Sequence, residues 1–469
     1  MGESGGGREQ HRSSARMTAV RLGIIGGGLA GIAAALGAVD AGADVTLLER
    51  RPTLGGLTSS IQHNGLSFDN GQHVFLRCCT EYRAFLERIG SDDEVYLQRR
   101  LEVPVLSPSG ERATISRNAL PAPFHLAASL VTYRHLSLQE RVGLVRAAFA
   151  LRRLDPEDRS LDEVSFADWL TRHGQSARAI DRLWNLIALP TLNVSAQDAS
   201  LALAVKVFRV GLLDRSDGAD MGWSKVPLAT LHGSNALRAL DASGVDTQLN
   251  TTATTVERSS SGSFVIGGAD KTTTVDAVIV ATSPRALATF GVPYGASIAE
   301  DLGESPIVNV HLVLDRRVTD LAMAAAIDSP IEYLFDRTQS SGVTSGQCLT
   351  ISLSAADRYL GVGSPELVAT FLEALRQLLP AAREAQLVDA FVTRERAATF
   401  RASPGVGASR PAMTTEVPGL FLAGAWCDTG WPATMESAVR SGTQAASEAL
   451  AYLSDSPLNQ VLRQERIGT

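Results

Sequence analysis

Residues 20–51, VRLGIIGGGLAGIAAALGAVDAGADVTLLERR, constrain the fold more than any other stretch of this 469-residue chain. An apolar run from Val20 to Ile25 leads into Gly26, Gly28 and Gly31, spaced G-x-G-x-x-G. An alanine-rich helical segment follows, then a second apolar run, Val45 to Leu48, that ends on Glu49. A strand, glycine turn, helix and strand in this order bind a dinucleotide. Gly26 permits the tight turn, Gly28 lets the backbone approach a pyrophosphate, and Gly31 lets the helix pack closely. The helix opens at Leu29 and Ala30, where N–H groups without intrahelical acceptors and the positive end of the dipole face the phosphates. Glu49 lies eighteen residues beyond Gly31, close to the spacing of roughly 20 expected for the acid that holds a ribose hydroxyl pair.

The residues after Glu49 distinguish FAD from NAD. ERRPTLGGLT (49–58) is a basic and then doubly glycine-tipped loop, where a simple NAD domain more often enters its next helix. Its Gly55 and Gly56 bring backbone N–H groups against a second part of the cofactor, with Arg50, Leu57 and Thr58 beside them. Further along come FDNGQHVF (68–75) and, near the end, GLFLAGAWCDTGWPATMESAVRSGTQAA (419–446). The latter reads as a strand, a glycine turn and a helix starting around Pro432, since proline suits a first helical turn. A second helix N-terminus aimed at the cofactor suits a flavin, whose reduced ring carries negative charge.

GIIGGGLAG with LLERRPTLGG, FDNGQHV, and LFLAGAWCDTGWPATMESAVRSG together resemble the flavin-containing amine oxidase and carotenoid desaturase superfamily. FDNGQH, the TGWPATMESAVRSG tail and LWNLIALPTLNVSAQDAS (183–200) are most similar to its squalene-associated members, the hydroxysqualene dehydroxylases of hopanoid synthesis. The resemblance spans most of residues 20–450. It implies FAD as cofactor, with Gly71, Gln72, Gly424, Asp428, Trp431, Pro432, Ala433 and Thr434 completing the expected contacts. The chain departs from the family pattern in two places. Ala425 stands where relatives commonly carry an acid, whose contact Asp428 would take over. Leu57 and Thr58 stand where many have arginine.

The expected fold class is α/β (α+β overall): a discontinuous Rossmann-like FAD-binding domain with a second substrate domain of antiparallel sheet plus helices. Residues 19–104, 231–290 and 401–455 are assigned to the first domain. Residues 105–230 and 291–400 are assigned to a substrate- and membrane-facing second domain. DAVIVATSP (276–284) reads as a buried parallel strand. PIVNVHLVLD (306–315) alternates at period two beside QCLTISLS (347–354), as in an antiparallel sheet with one solvated face. The polar stretch 251–274 reads as a hairpin. Residues 1–18 read as a disordered leader and 456–469 as a tail.

A net charge of −7 argues against nucleic acid as partner, which usually demands a basic patch. Cys78, Cys79, Cys348 and Cys427 show no metal spacing and read as reduced, cytosolic and mostly buried. No apolar run approaches the roughly 18 to 20 residues that span a bilayer. Residues 119–154 interleave Phe124, Leu126, Leu130, Tyr133, Leu144 and Phe149 with Arg134, Arg141, Arg146, Arg152 and Arg153. That pattern fits either a helical pair packed on the core or peripheral contact with the inner membrane face.

The resemblance implies a triterpene substrate, hydroxysqualene, reduced to squalene, with an electron donor that the sequence does not name. Hydroxide is a poor leaving group, so the site needs a general acid in a water-poor apolar tunnel. Candidates are His73, Asp428 and Glu436, each with a second reading: a structural histidine, a cofactor partner and a helix-capping charge. Asp69 reads as a loop brace, Trp431 and Pro432 as walls of the flavin, and Trp184 and Trp223 as packing or tunnel lining. Three alternatives stand beside this reading: a carotenoid-type desaturase, an amine oxidase, and a prenyl-binding protein of the GDP dissociation inhibitor type.

Overall fold

The computed structural model describes residues 20–260, 262–269, 271–290 and 295–455. The expected leader and tail lie outside the described residues.

A five-stranded parallel sheet runs in the order Asp246–Gln248, Asp44–Leu48, Arg21–Ile25, Ala277–Val280, Leu420–Leu422. Its strands come from three distant parts of the sequence, so the nucleotide unit is discontinuous. Leu22, Ile24 and Val278–Val280 are fully buried, as expected where both faces of a parallel sheet are covered. The nucleotide helix Leu29–Asp40 and the C-terminal helix Met435–Asp455 pack together. A Cβ on Gly442 would fall 2.0 Å from the Ala30 carbonyl oxygen, so only glycine permits this approach. A meander of three strands, Ala253–Arg258, Phe264–Gly268 and Thr272–Val275, replaces the expected hairpin. Its Ile266 and Val275 fit against Gly23, where a Cβ would lie 2.6 Å from Ile266 Cδ1.

The second sheet has seven strands in the order Leu387–Thr399, Ser305–Leu314, Gln347–Leu353, Tyr333–Asp336, Met323–Ala326, Glu102–Leu106, Arg112–Ser116. All neighbours are antiparallel except Met323–Ala326 with Glu102–Leu106. The expected boundary between residues 104 and 105 therefore falls inside a strand. Val308, Val310, Leu312 and Leu314 form a core with Leu367, Phe371, Leu375 and Leu378 of the helix Ser364–Leu378.

The expectation of one solvated face is corrected here. Asn309 and His311 alternate with those valines and leucines but are also buried, because the loop after Phe68 covers them. Asn309 donates to the Asn70 carbonyl at 3.2 Å, and the His311 ring lies 5.1 Å from that of Phe68. Alternation reported apolar against polar, and the polar face is an internal one.

Trp184 packs on Phe166 and Phe208, whereas Trp223 stays half-buried against Tyr96. The four cysteines are free and buried. Among the described residues no helix is long and apolar enough to cross a membrane.

Candidate cofactor and active site

The first glycine turn and the Gly55–Gly56 loop form one cradle. Gly55 N–H donates to the Gly27 carbonyl at 2.8 Å, and Thr58 closes the loop by donating Oγ1–H and N–H to the Gly55 carbonyl. Gly26 sits at φ +110°, and a Cβ on Gly31 would strike the Gly26 carbonyl oxygen at 1.9 Å. A Cβ on Gly28, by contrast, would meet nothing nearer than the Gly56 Cα at 3.9 Å. Open space thus lies where a pyrophosphate would approach the opening of the helix Leu29–Asp40.

Glu49 is buried at the end of its strand, and its carboxylate accepts the Gly27 and Arg51 N–H groups, each at 2.7 Å. A carboxylate has about four acceptor positions, so capacity for a ribose diol is left. The residues therefore fit an FAD. Of the basic pair, Arg50 is exposed, and it is Arg51, missed from the sequence, that braces the loop by donating to the Gly56 carbonyl at 3.0 Å. Leu57, next to Gly56 in this loop, is 43% exposed.

At the other end of the sheet, Gly424 N–H donates to Ser441 Oγ at 2.9 Å, and a Cβ there would lie 2.2 Å from Trp426 Nε1. The last helix starts at Met435, three residues after the expected Pro432. The correction has a local cause: Thr434 Oγ1 accepts the Ser437 N–H at 3.2 Å and so caps the helix. Pro432 and Ala433 belong to the preceding turn, and Trp431 lies under the Arg440 guanidinium at 5.1 Å.

Two of the three candidate acids are accounted for elsewhere. Glu436 is 1% exposed and accepts N–H groups from Tyr82 at 2.8 Å and Glu81 at 3.3 Å, and Arg440 Nε at 2.8 Å. It caps the helix Thr80–Arg88 as well as its own helix. Asp428 is half-buried, its Oδ2 2.9 Å from exposed Arg159 and its Oδ1 accepting the Gly430 N–H. The Ala425 carbonyl is held by the Ser437 hydroxyl at 3.2 Å.

His73 is different. Its Nδ1 bonds the Gly71 carbonyl at 3.1 Å, so this nitrogen carries the proton. Burial lowers its pKa from 6.5, and the residue as a whole is half-buried, like Gln72 beside it. A neutral ring with these contacts presents Nε2 as an acceptor, and when protonated it is a stronger acid than ordinary imidazole.

Behind it lies an ion pair that sequence did not reveal. Asp69 Oδ1 accepts Ser60 Oγ and the Leu228 N–H, and its Oδ2 meets Arg337 at 2.7 Å. His232 stands behind Gly55, bonded to the Tyr82 hydroxyl at 2.7 Å.

Burial pushes His232 and His311 down to about 3. Both are neutral in the folded chain, while the unfolded chain takes up protons below 6.5, so stability falls as pH drops through 6.5 towards 3. At pH 5 each is expected to cost about 2 kcal/mol. The His232→Gln/His311→Gln variant should lose about 4 kcal/mol less than the parent between pH 7.5 and pH 5. Urea midpoints at the two pH values measure this, and equal losses would refute it.

The geometry agrees with what the chain resembles. The family described as flavin containing amine oxidoreductase matches residues 29–450. A probable zeta-carotene desaturase of Synechococcus elongatus is 25% identical over 92% of this chain and 98% of its own. A hydroxysqualene dehydroxylase of Rhodopseudomonas palustris is 28% identical over 91% of this chain and 98% of its own. The solved structure of a putrescine oxidase bound to putrescine shares the fold, with a TM-score of 0.69 at 18% identity over 92% of this chain and 100% of that one. A dinucleotide cradle, a helix N-terminus at the far end of the same sheet and a match over nine-tenths of the sequence have one common meaning: the chain belongs to the flavin containing amine oxidoreductases, with FAD as its cofactor.

Proposed function

We propose that the chain reduces hydroxysqualene to squalene, as a step of hopanoid synthesis, while resting on the inner face of a membrane. The observation that carries this reading is His73, an anchored imidazole with a free ring nitrogen in the protein interior. Reductive loss of a hydroxyl needs a proton donor at the leaving oxygen, whereas desaturation does not. Similarity to hydroxysqualene dehydroxylases over nearly the whole chain supports the same reading.

Bound in the cradle of Gly26, Gly28 and Glu49 and reduced, FAD would supply the hydride needed at the allylic carbon as its C–O bond breaks. The hydroxyl departs as water after taking a proton. His73 Nε2 accepts the substrate hydroxyl in the ground state and, once protonated, delivers that proton. Its depressed pKa has a consequence with a definite sign: turnover should rise as pH falls below 6.5. His73→Gln should lower turnover by about 100-fold and flatten that profile. A variant with the wild-type profile would remove His73 from the chemistry.

The decisive experiment is anaerobic. The FAD-loaded, chemically reduced protein is mixed with hydroxysqualene, and squalene is extracted while flavin reoxidation is followed. Matched appearance of squalene and oxidised flavin supports the proposal, and a flavin that stays reduced with no squalene sinks it. A second reading, carotenoid desaturation, is favoured by the desaturase relatives at comparable identity. It would show the opposite signature, reduction of oxidised flavin by the polyene.

A further inference from the structure

Among the described residues, seven of the eleven exposed large apolar side chains lie within residues 120–149. Four of them, Leu138, Val142, Val145 and Phe149, belong to the helix Leu138–Leu151. Their spacing of i, i+4, i+7 and i+11 confines them to an arc of about 60° at 100° per residue. Leu144, Ala147 and Leu151 occupy the other side of that helix and are buried. The helix thus has two apolar stripes, of which only one faces the core. The packed-pair expectation accounts for the buried stripe and leaves the exposed one without a partner.

The exposed stripe is continued by the neighbouring segment. The Phe149 ring lies 6.1 Å from that of Phe124, and Val131 is 66% exposed on the short helix Ala127–Thr132. The helix is held at a fixed angle by a capping box between Ser137 and Glu140. This patch is therefore built into the fold rather than carried on a loose loop.

Charge identifies the occupant. Residues 119–154 contain five arginines against a single acid, Glu140, in a chain whose net charge is −7. Arg134, Arg146 and Arg153 are exposed, and none has an ion-pair partner among the described residues. On the helical wheel Arg146 borders the apolar stripe, with Arg153 about two turns further on. A second copy docking here by two-fold symmetry would bring two copies of this uncompensated cationic patch together. An apolar strip bordered by unpaired cations instead matches the boundary between acyl chains and anionic headgroups.

We propose that Leu138, Val142, Val145 and Phe149, extended by Phe124 and Val131, form the surface by which the chain docks on an anionic lipid bilayer. Arg134, Arg146 and Arg153 contact the phosphate headgroups. The assignment rests on the reading of a bilayer-resident triterpene substrate for its purpose, and the helix then lies in the plane of the interface.

The test is flotation of the full-length, FAD-loaded chain with vesicles of phosphatidylcholine alone or mixed with phosphatidylglycerol. The mixed vesicles should bind at least about ten-fold more protein, with the excess lost at high salt. Val142→Gln/Phe149→Gln should reduce binding to the mixed vesicles at least ten-fold, and Arg146→Glu/Arg153→Glu should remove the preference for them. Both variants should keep wild-type flavin content and wild-type turnover of detergent-dispersed hydroxysqualene, while losing turnover of substrate held in vesicles. Failure of the wild type on dispersed substrate would indict the chemistry and leave the flotation result standing. Wild-type protein that ignores the mixed vesicles would overturn the docking surface. So would variants that float like the wild type, or an apolar variant that dissociates a dimer without changing flotation.

Discussion

Gly28→Val should yield a folded, colourless protein. The backbone at Gly28 is in the extended region, φ −78° and ψ 179°, which valine adopts readily. A Cβ there would find no atom closer than 3.9 Å, so the branch point of the new side chain fits without displacing the backbone. The space it fills is the space a pyrophosphate needs in order to meet the first N–H groups of the helix Leu29–Asp40. We expect FAD affinity to fall by about 100-fold, equivalent to about 2.8 kcal/mol, while circular dichroism and the urea midpoint of the cofactor-free protein stay unchanged. Gly31→Ala is the contrasting case. Its Cβ would lie 1.9 Å from the Gly26 carbonyl oxygen, so the turn must move and both folding and cofactor binding should suffer. Flavin absorbance per protein, read beside the unfolding curve, separates the two. If Gly28→Val binds FAD as tightly as the parent, the cradle has been placed wrongly.

That contrast also explains why some of the molecule is legible in its sequence. The glycine turn, Glu49 and the small residues of the first helix act within 30 residues of one another, so their spacing records their geometry. DAVIVATSP reads as a buried parallel strand because a strand covered on both faces needs a continuous apolar run. Function carried by pairs from distant parts of the chain leaves no such record. Glu436 looks like a carboxylate at its own helix N-terminus, and only the fold shows that it serves Tyr82, 354 residues away. Asp428 follows the glycine turn, and only the fold shows that it pairs with Arg159, 269 residues distant. The strand Ser305–Leu314 was legible as a strand, while the cover on its polar face was not, since that cover is a loop more than 200 residues earlier.

The Asp69–Arg337 pair is the most consequential of these hidden contacts, and removing one partner should be among the most damaging single changes in the chain. Both side chains are buried, at 5% and 9% exposure. Arg337 donates Nη2–H to Asp69 at 2.7 Å and Nη1–H to the Ser224 carbonyl at 2.8 Å, while its Nε finds no partner. Asp69 also receives Ser60 and Leu228, so the pair ties the strand Leu66–Asp69 to the seven-stranded sheet immediately before Asn70–His73. Asp69→Leu leaves a guanidinium in the interior without its counter-charge, which typically costs about 3–5 kcal/mol. Arg337→Met strands the carboxylate instead and should cost a similar amount. The double variant Asp69→Leu/Arg337→Met should recover most of the loss, because two apolar side chains need no mutual neutralisation. Stability recovered in this way should not restore turnover. The Ser60 and Leu228 bonds that hold the loop in register are still absent, so His73 is no longer presented in place. Urea midpoints of the three variants, with turnover measured beside them, test both halves. Additive stability losses would deny that the two residues act as a pair. A double variant with wild-type turnover would deny that the pair positions His73.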